Sequence, residues 1–268
     1  MSGQTPMANV LEALGAKIRP LRIYAASVAG GIFLWHVVAL RFHVTVFPSP
    51  WETFVESLDL LFSGEIFLHS GVSLLRILMG FVVGSCIAVP LGLLMGVNDF
   101  VRRSIEPVSE FFRFIPAIAM VIFSIIWFGV GEASKVFLIV YNTVFTVMIN
   151  TEAGVRVVNE TQLRAAAMMG ATLPQRFFHV IVPGTVPYVI TGMRIAMGRS
   201  FSTIVAAELL GASTGLGSLI STAREYSRMD TIAVGIVALG VMGFFIDHLF
   251  RRLSGWLAGE YGGPETGE

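Results

Sequence analysis

NETQLRAAAMMGATLPQRFFHVIVPGTVP, residues 159–187, is a polar, punctuated interval between two long apolar segments. It opens with Asn159, a residue type that often caps helix N-termini. Glu160 and Arg164 follow at a spacing that favours a helical turn. Gly170 can adopt the left-handed conformation that ends such a helix. The first half of the interval is therefore predicted to be a short helix that ends at a glycine.

The second half of the interval is predicted to be another short helix, from Leu173 to Val182. Pro174 stands near its start, where proline is tolerated because the first N–H groups have no partner within the helix. Pro183 and Pro187 are expected to stop it. The interval thus predicts a helix, a glycine hinge and a second helix beside a membrane. A face of small residues would let another protein approach closely: Ala165, Ala166, Gly170 and Ala171.

This interval resembles the cytoplasmic loop in permease subunits of ATP-binding-cassette (ABC) importers. That family carries Glu-Ala-Ala, three variable residues, Gly, nine variable residues, Ile or Val, a variable residue, and Leu-Pro or similar. The residues that fit are Ala165, Ala166, Gly170, Val180 and the region of Pro183. The family's glutamate falls on Arg164, a departure that puts in doubt any salt bridge of that glutamate but not the shape of the loop.

The resemblance extends to both flanks of the loop. Three further segments resemble the subfamily that imports nitrate, sulfonates, taurine or bicarbonate: FPSPWETF at 47–54, FRFIPAIAMVIFSIIWFGVGEASK at 112–135, and GMRIAMGRSFSTIVAAELLGASTGLG at 192–217. The resemblance implies that an ATPase is coupled through residues of the loop. These are Arg164, Ala165, Ala166, Gly170, Ala171, Thr172, Leu173, Pro174 and Phe177.

The same resemblance implies a fold and a set of partners. The fold would be an all-α, polytopic membrane protein of the type I ABC importer (MetI-like) permease class. The complex would lie in the lipid of the bacterial cytoplasmic (inner) membrane. It would contain two copies of the chain, two ABC ATPase subunits and a periplasmic or lipid-anchored solute-binding protein. ATP and Mg are expected on the partner ATPases, no cofactor is expected in this chain, and the transported solute is expected to be small and anionic.

The composition independently indicates an integral membrane protein. The chain has 268 residues, of which 54% are hydrophobic and only 13% are charged, with a mean hydropathy of +0.76. A soluble domain normally carries about 25% charged residues. The net charge of zero suggests no nucleic-acid partner. Scattered histidines and the single Cys86 suggest neither a metal site nor a disulfide framework. The sequence contains no GxxxxGK(S/T) phosphate loop, so the chain itself is not expected to be an enzyme.

Hydropathy predicts a membrane domain at 23–255, between a cytoplasmic N-terminal segment at 1–22 and a cytoplasmic tail at 256–268. Its six spans are predicted at about 23–40, 69–97, 105–130, 135–158, 188–210 and 231–250. With both termini in the cytoplasm, the basic residues inside are Lys17, Arg19, Arg22, Arg102, Arg103, Arg156, Arg164, Arg176, Arg251 and Arg252. Those outside are Arg41, Lys135, Arg224 and Arg228. This excess agrees with the positive-inside rule and places the loop at 159–187 in the cytoplasm.

The second span carries a packing signal. Its small residues recur at helical spacing, at Gly80, Gly84, Gly92 and Gly96. Such pairs let neighbouring helices approach closely. Arg76, near the outer end of the same span, is expected either to snorkel or to pair with a carboxylate.

Ionisable residues within a membrane span are expensive in lipid and are therefore candidates for function. The fifth span carries Arg194, Arg199 and Glu208, and Glu208 is placed to meet Arg224 or Arg228. The two arginines of this span either line a path for an anion or are structural, and both interpretations stay open. A cavity is expected between the third, fourth and fifth spans of two copies. The candidates for the substrate path are Pro116, Asn142, Arg194, Arg199, Ser200, Ser202, Thr203 and Glu208.

Two other functions fit parts of the sequence. GASTG at 211–215 matches the GxSxG nucleophile pattern, and His248 would be the base of an intramembrane serine protease. Ser213 lies at the outer end of the fifth span, however, and His248 lies about 25 Å deeper at 1.5 Å per residue, whereas such a pair needs about 3 Å. A stand-alone secondary transporter usually shows an internal repeat and more spans, and the sequence shows no repeat.

Overall fold

A computed structural model describes residues 6–42, 46–158 and 160–259. The helices are α1 Pro6–Ala39, α2 Pro50–Phe62, α3 Glu65–Val97, α4 Asp99–Arg113, α5 Val121–Phe128, α6 Glu132–Val157, α7 Glu160–Met168, α8 Leu173–Arg176, a π-helical turn Phe177–Ile181, α9 Val182–Gly211, α10 Leu216–Glu225 and α11 Met229–Gly259. No strand occurs in the described ranges, so the all-α prediction is confirmed. The predicted cap Asn159 and the end of the predicted tail, 260–268, lie outside the described residues.

Within the described ranges, four helical segments are long and apolar enough to cross a membrane: Glu65–Val97, Glu132–Val157, Leu173–Gly211 and Met229–Gly255. The first predicted span corresponds to a shorter apolar helix, Ile23–Ala39. The third predicted span, 105–130, is not one helix, because α4 ends at Arg113 and α5 begins only at Val121. The break follows from Pro116, which lacks the N–H that a helix interior requires.

Helices α3 and α6 pack along a seam of small residues, as the glycine spacing predicts. A Cβ added to any of four α3 glycines, Gly80, Gly84, Gly92 and Gly96, would overlap α6. The α6 residues that these added Cβ atoms would overlap are, in the same order, Ile139, Thr143, Thr151 and Val155. Because the contacts advance by equal steps along both helices, α3 and α6 run parallel.

The segment between these two helices must therefore return across the bundle. Helix α3 ends beside the end of α6, where Gly96 meets Val155. Helix α6 begins beside the other end of α3, where Arg76 bonds to Glu132. Helices α4 and α5 thus cross the bundle in the opposite direction, although the crossing is broken in the middle. We call the two ends of the bundle the Gly170 end, after the loop that follows α6, and the Arg76 end.

Helix α9 runs antiparallel to α6. Gly154 of α6 packs against Tyr188, and Gly192 of α9 packs against Asn150. Helix α9 also continues α8 through the π-helical turn, so that one helical rod extends from Leu173 to the Arg76 end. The prediction that Pro183 and Pro187 stop this segment is therefore wrong.

The π-helical turn explains why the helix survives its prolines. The N–H of Val182 bonds to the carbonyl of Phe177, which changes the hydrogen-bond register just before Pro183. Pro183 then lies in the first turn of α9, where its missing N–H is not needed. Pro187 lies further inside α9, and neighbouring helices allow membrane helices to tolerate such a proline.

The hydrophobic core lies where α3, α6 and α9 meet. Its fully buried members include Ile77, Ala88, Ile139, Val147, Ala196 and Ile204. Helix α11 packs outside α9, and its Phe250 meets Phe81 of α3 edge to face, with ring centroids 6.2 Å apart. Of the three central helices, α6 and α9 are joined by the loop at one end of the bundle. The same two helices form two walls of the cleft described below.

Candidate functional site

The loop after α6 is built around Gly170, as predicted. Gly170 has a φ of +82°, in the left-handed region that favours glycine. The N–H of Ala171 donates to the carbonyl of Ala166 at 3.0 Å, and the N–H of Gly170 donates to the carbonyl of Ala167 at 3.0 Å. These two bonds are the Schellman ending of a helix, and they satisfy carbonyls that the end of α7 leaves without partners.

The second half of the loop starts with a matching cap. Thr172 precedes α8, and its N–H and hydroxyl lie 2.8 and 3.0 Å from the side-chain oxygen of Gln175. Pro174 occupies the first turn of α8, as predicted. Phe177 and Phe178 then meet edge to face at the start of the π-helical turn, with ring centroids 5.0 Å apart. The loop is thus a defined helix–turn–helix, and both sides of its turn are held by hydrogen bonds.

The exposed surface of this loop agrees only in part with the predicted one. Ala166 is buried and does not belong to the open face of small residues, whereas Gly170 is exposed as predicted. Met168, Met169 and Leu173 instead project from the turn, with exposed fractions of 85%, 82% and 73%. Sequence reasoning named Leu173 for this loop but missed Met168 and Met169, although apolar residues on both sides of a hinge glycine were a visible signal. Contiguous apolar side chains at a protruding turn are typical of a protein–protein contact.

A cleft of about 330 Å³ opens between the α4–α5 break, α6 and α9. Its polar lining residues are Arg113, Tyr141, Asn142, Thr146, Asn150 and Arg199. An adjoining hollow of about 370 Å³ shares Pro116, Asn142 and Arg199 with the cleft and adds Ser202 and Thr203. Five of the eight predicted path residues are therefore brought together, between the three predicted segments.

The break that forms one wall of the cleft has a specific support. Pro116 has no N–H to offer the carbonyl of Phe112, four residues earlier. That carbonyl instead accepts the N–H of Ile115 at 3.0 Å and the hydroxyl of Tyr141 at 2.5 Å. The ring of Phe112 also stacks on Phe145 of α6, with centroids 6.1 Å apart. Helix α6 thus fixes the position of the broken segment.

Two guanidinium groups lie in the cleft. Arg199 was predicted, and its Nη1 lies 3.4 Å from the hydroxyl of Thr146. Arg113 was not predicted; it lies over the ring of Phe114 at 4.9 Å and 3.8 Å from a carboxylate oxygen of Glu110. The side-chain nitrogen of Asn142 is buried and has no hydrogen-bond partner in the described part of the chain. The lining thus presents hydrogen-bond donors and positive charge.

Three of the predicted path residues lie elsewhere. Arg194 faces α11, where its Nε donates to Asp247 at 2.9 Å. Ser200 is fully buried and donates to the carbonyl of Ala196 within α9. Glu208 is 1% exposed and belongs to a buried cluster at the Arg76 end. For Arg194 the structure therefore agrees with the structural interpretation that the sequence left open.

The buried cluster joins α3, α6 and α9. Arg76 is 2% exposed and bonds to Glu208 at 2.6 Å and to Glu132 at 2.5 Å. Glu208 also accepts the hydroxyl of Ser73 at 2.8 Å and the N–H of Gly217 at 2.9 Å. The expected pairing of Arg76 with a carboxylate is confirmed.

The expected partners of Glu208 are wrong. Arg228, one of the two arginines named for it, bonds instead to Glu56 of α2 at 2.7 Å. The carboxylate of Glu208 is held by Arg76 and the neighbouring donors. This cluster ties helix ends together, and it does not line the cleft.

The serine protease arrangement is not formed. Ser213 follows α9 at the Arg76 end, whereas His248 lies beside Asp247, which pairs with Arg194 in the middle of α9. Seventeen residues of α9 separate Arg194 from Gly211, which is about 25 Å of helix. His248 instead stacks on Phe244, with ring centroids 6.3 Å apart.

Comparison with known proteins supplies relatives along most of the chain. The model of the family "Binding-protein-dependent transport system inner membrane component" matches residues 88–259. A probable ABC transporter permease protein of Brucella melitensis is 36% identical over 91% of this chain and 100% of its own length. The taurine transport system permease protein of Escherichia coli is 34% identical over 83% of this chain and 84% of its own length. A chain of the inward-facing MetNI methionine ABC transporter superposes with a TM-score of 0.59 at 20% identity, over 68% of this chain and 91% of that one. The predicted type I importer fold is thereby confirmed.

Proposed function

Because this chain belongs to the family of binding-protein-dependent transport system inner membrane components, and is thus a permease component of an ABC importer, we propose that it moves a small anionic solute of the sulfonate, taurine, nitrate or bicarbonate type. Its relative in Escherichia coli is named for taurine, which carries a sulfonate. The positively charged cleft supports an anionic solute. In this proposal the chain binds no cofactor and is not an enzyme, and ATP and Mg are bound by partner subunits.

The loop around Gly170 carries this proposal. Its turn holds Met168, Met169 and Leu173 almost fully exposed beyond the end of the bundle. A helix–turn–helix with fixed caps and an apolar tip is suited to insert into a groove of a cytoplasmic ATPase. Because the loop connects α6 directly with the α8–α9 rod, movement of the ATPase would reach both walls of the cleft.

The remaining partners follow from the same role. Two copies of the chain would enclose the path, because the cleft is open on one side in a single copy. Two ATPase subunits would bind the two loops on the cytoplasmic side of the inner membrane. A solute-binding protein would deliver the solute at the Arg76 end. Both termini would be cytoplasmic, in agreement with the distribution of basic residues.

The proposed mechanism is alternating access. ATP-driven closure of the two ATPases would draw the two loops together. Each loop would move the attached ends of α6 and α9, and the cleft between the two copies would open toward the binding protein. Hydrolysis of ATP would reset the arrangement. The residues of this chain would thus transmit movement and line the path, while the chemistry occurs in the partner.

The test is co-purification of the tagged chain from gently solubilised membranes, followed by mass spectrometry. We expect an ATPase subunit in equal amounts with the wild-type chain. Leu173→Asp and Met169→Asp should lower the ATPase recovered at least about tenfold, because each places a charge in the apolar contact. Phe62→Asp is the matched control, since Phe62 is 87% exposed at the Arg76 end. A wild-type chain that is recovered without an ATPase would overturn the proposal, and so would full recovery with both loop variants.

A further inference from the structure

Four arginines, one on α3, one on α4 and two on α9, fall into two groups. Arg76 and Arg194 each bond to carboxylates at 2.9 Å or less. Arg113 and Arg199 do not, because the nearest carboxylate oxygen to Arg113 lies at 3.8 Å and the guanidinium of Arg199 hydrogen-bonds only to a threonine hydroxyl, at 3.4 Å, among the described residues. The first pair is closely paired with carboxylates, whereas Arg113 and Arg199 line the cleft with no carboxylate at hydrogen-bond distance among the described residues.

The cleft carries no negative charge of its own. None of its lining residues in the described part of the chain is an aspartate or a glutamate. Its walls therefore combine two positive charges with apolar and amide surface. A cleft lined by charge of one sign raises the local concentration of ions of the opposite sign, which here are anions.

Further donors point to the same kind of ligand. The side-chain nitrogen of Asn142 is buried at the cleft without an acceptor in the described ranges. The main-chain N–H groups of Ala117 and Ile118, in the partly exposed break after Pro116, also have no protein acceptor among the described residues. A buried donor is normally paired, so the open amide of Asn142 beside these main-chain donors indicates a ligand that brings acceptor oxygens.

The depth of the site excludes a simple surface role for Arg199. In the antiparallel packing of α9 on α6, Gly192 lies at Asn150 and Tyr188 lies at Gly154. Arg199 is therefore level with the middle of α6, about 16 Å from the residue at which α6 begins. A charge at this depth is expensive in lipid and is found where it faces a partner or a water-filled cavity.

We propose that this cleft is a binding site for a single oxoanion group, held between Arg113 and Arg199 and oriented by the amide of Asn142. This inference rests on the proposed function, and it names the part of the solute that the permease itself recognises. A planar or tetrahedral oxoanion, such as a sulfonate, nitrate or bicarbonate, offers the several acceptors that guanidinium groups bind in pairs. A neutral analogue of the same shape lacks the charge that the two arginines require.

The test is a ligand titration of the purified full chain with its ATPase, followed by the midpoint of heat unfolding. The probes are methanesulfonate, nitrate and bicarbonate, and the uncharged control is methanesulfonamide. We expect saturable stabilisation by at least one of the anions and none by methanesulfonamide. Arg113→Gln and Arg199→Gln should each weaken the apparent affinity about 10- to 100-fold, because each removes hydrogen bonds to a charged group.

Two matched variants guard against a purely structural effect. Arg194→Gln changes an arginine only five positions from Arg199, but one that faces α11, and it should leave the anion affinity within about twofold of wild type. Arg199→Lys keeps the charge and should retain more affinity than Arg199→Gln.

Several results would overturn the site. They are the absence of stabilisation by every anion, equal stabilisation by methanesulfonamide, and unchanged affinity in both Gln variants. The titration measures anion binding to the cleft, and this binding does not depend on a bound ATPase. A chain that co-purifies with its ATPase but binds no anion would therefore overturn this site alone, whereas loss of the ATPase from the wild-type chain would overturn the proposed function.

Discussion

The hydroxyl of Tyr141 on α6 donates a hydrogen bond of 2.5 Å to the main-chain carbonyl of Phe112, the carbonyl that Pro116 leaves without its helical partner. A second carbonyl of the break, that of Ile115, lies 3.3 Å from the same hydroxyl. Tyr141 thus replaces, with one side chain, part of the helical hydrogen bonding that the proline removes. The position of Arg113 and of the cleft wall depends on this contact.

Tyr141→Phe removes the hydroxyl and keeps the ring. We expect a loss of about 1 kcal/mol in the free energy of unfolding, because a carbonyl loses one of its donors. The measurement is unfolding of the purified chain in mixed micelles. Tyr188→Phe is the control, since that hydroxyl makes no hydrogen bond within the described residues. An equal loss in both variants would show that Tyr141 does not support the break.

Glu208→Gln tests the buried cluster at the Arg76 end. The substitution leaves the guanidinium of Arg76, which is 2% exposed, with Glu132 as its one remaining carboxylate partner among the residues that the structure describes. Removing one member of a buried ion pair costs about 3 kcal/mol or more. Glu132→Gln should cost less than about 1 kcal/mol, because the side chain of Glu132 is largely exposed. Equal costs in the same unfolding assay would contradict the assignment of Glu208 as the buried anchor.

Gly92→Ala tests the seam between α3 and α6. The new methyl group would overlap the carbonyl of Met148 and the side chain of Thr151, so the two helices would have to separate locally. We expect a destabilisation of about 1–3 kcal/mol. Gly71→Ala lies on the same helix with nothing within 4 Å of the new atom, and it should stabilise by about 0.5–1 kcal/mol. Opposite signs for the two variants are the result that confirms the seam.

Gly170→Val tests the turn of the loop. The φ of +82° is strained for a side chain that branches at Cβ, although the space around Gly170 is open. The cost of about 1–2 kcal/mol falls on the loop and not on the core, so the chain should still insert and fold. We expect ATP hydrolysis by the complex to become uncoupled from solute uptake.

Gly170→Asn is the control for this variant, because asparagine tolerates the left-handed conformation. It should keep uptake close to the wild-type rate. Normal uptake by Gly170→Val, measured per ATP hydrolysed, would count against the role of this turn in coupling.

The features that sequence reasoning predicted well are those with a local signal. The α3 glycines form two pairs, each with a spacing of four residues, and that spacing alone indicated a close helix contact. Gly170 and Pro174 have conformational preferences that do not depend on distant residues. The partner of the glycine seam was not predictable, because nothing in the sequence of α3 designates α6.

The sequence-based predictions that were wrong concern contacts between distant residues and changes of hydrogen-bond register within a helix. Glu208 is 132 positions from Arg76, and no spacing rule connects residues that far apart. The nearer Arg228 was a reasonable partner for Glu208 by sequence, but the fold directs it to Glu56. Pro183 was expected to end a helix, because propensity does not show that a π-helical turn displaces the register before it. Arg113 was missed because the sequence predicted one continuous span at 105–130, in which the break beside Arg113 does not occur.

The rod that runs from Leu173 to the Arg76 end touches α6 closely at Gly192, where the backbone of α9 packs on Asn150. We consider a rotation of the rod about this contact. The arm to Leu173 is about 29 Å long and the arm to Glu208 about 24 Å. A swing that displaced Leu173 by 3 Å would thus displace Glu208 by about 2.5 Å the other way. The 2.6 Å bond to Arg76 could not survive that displacement. The intact ion pair therefore prevents α9 from rotating relative to α3. Helices α3, α6 and α9 must move as one rigid body, and relative motion occurs where this body contacts the neighbouring helices.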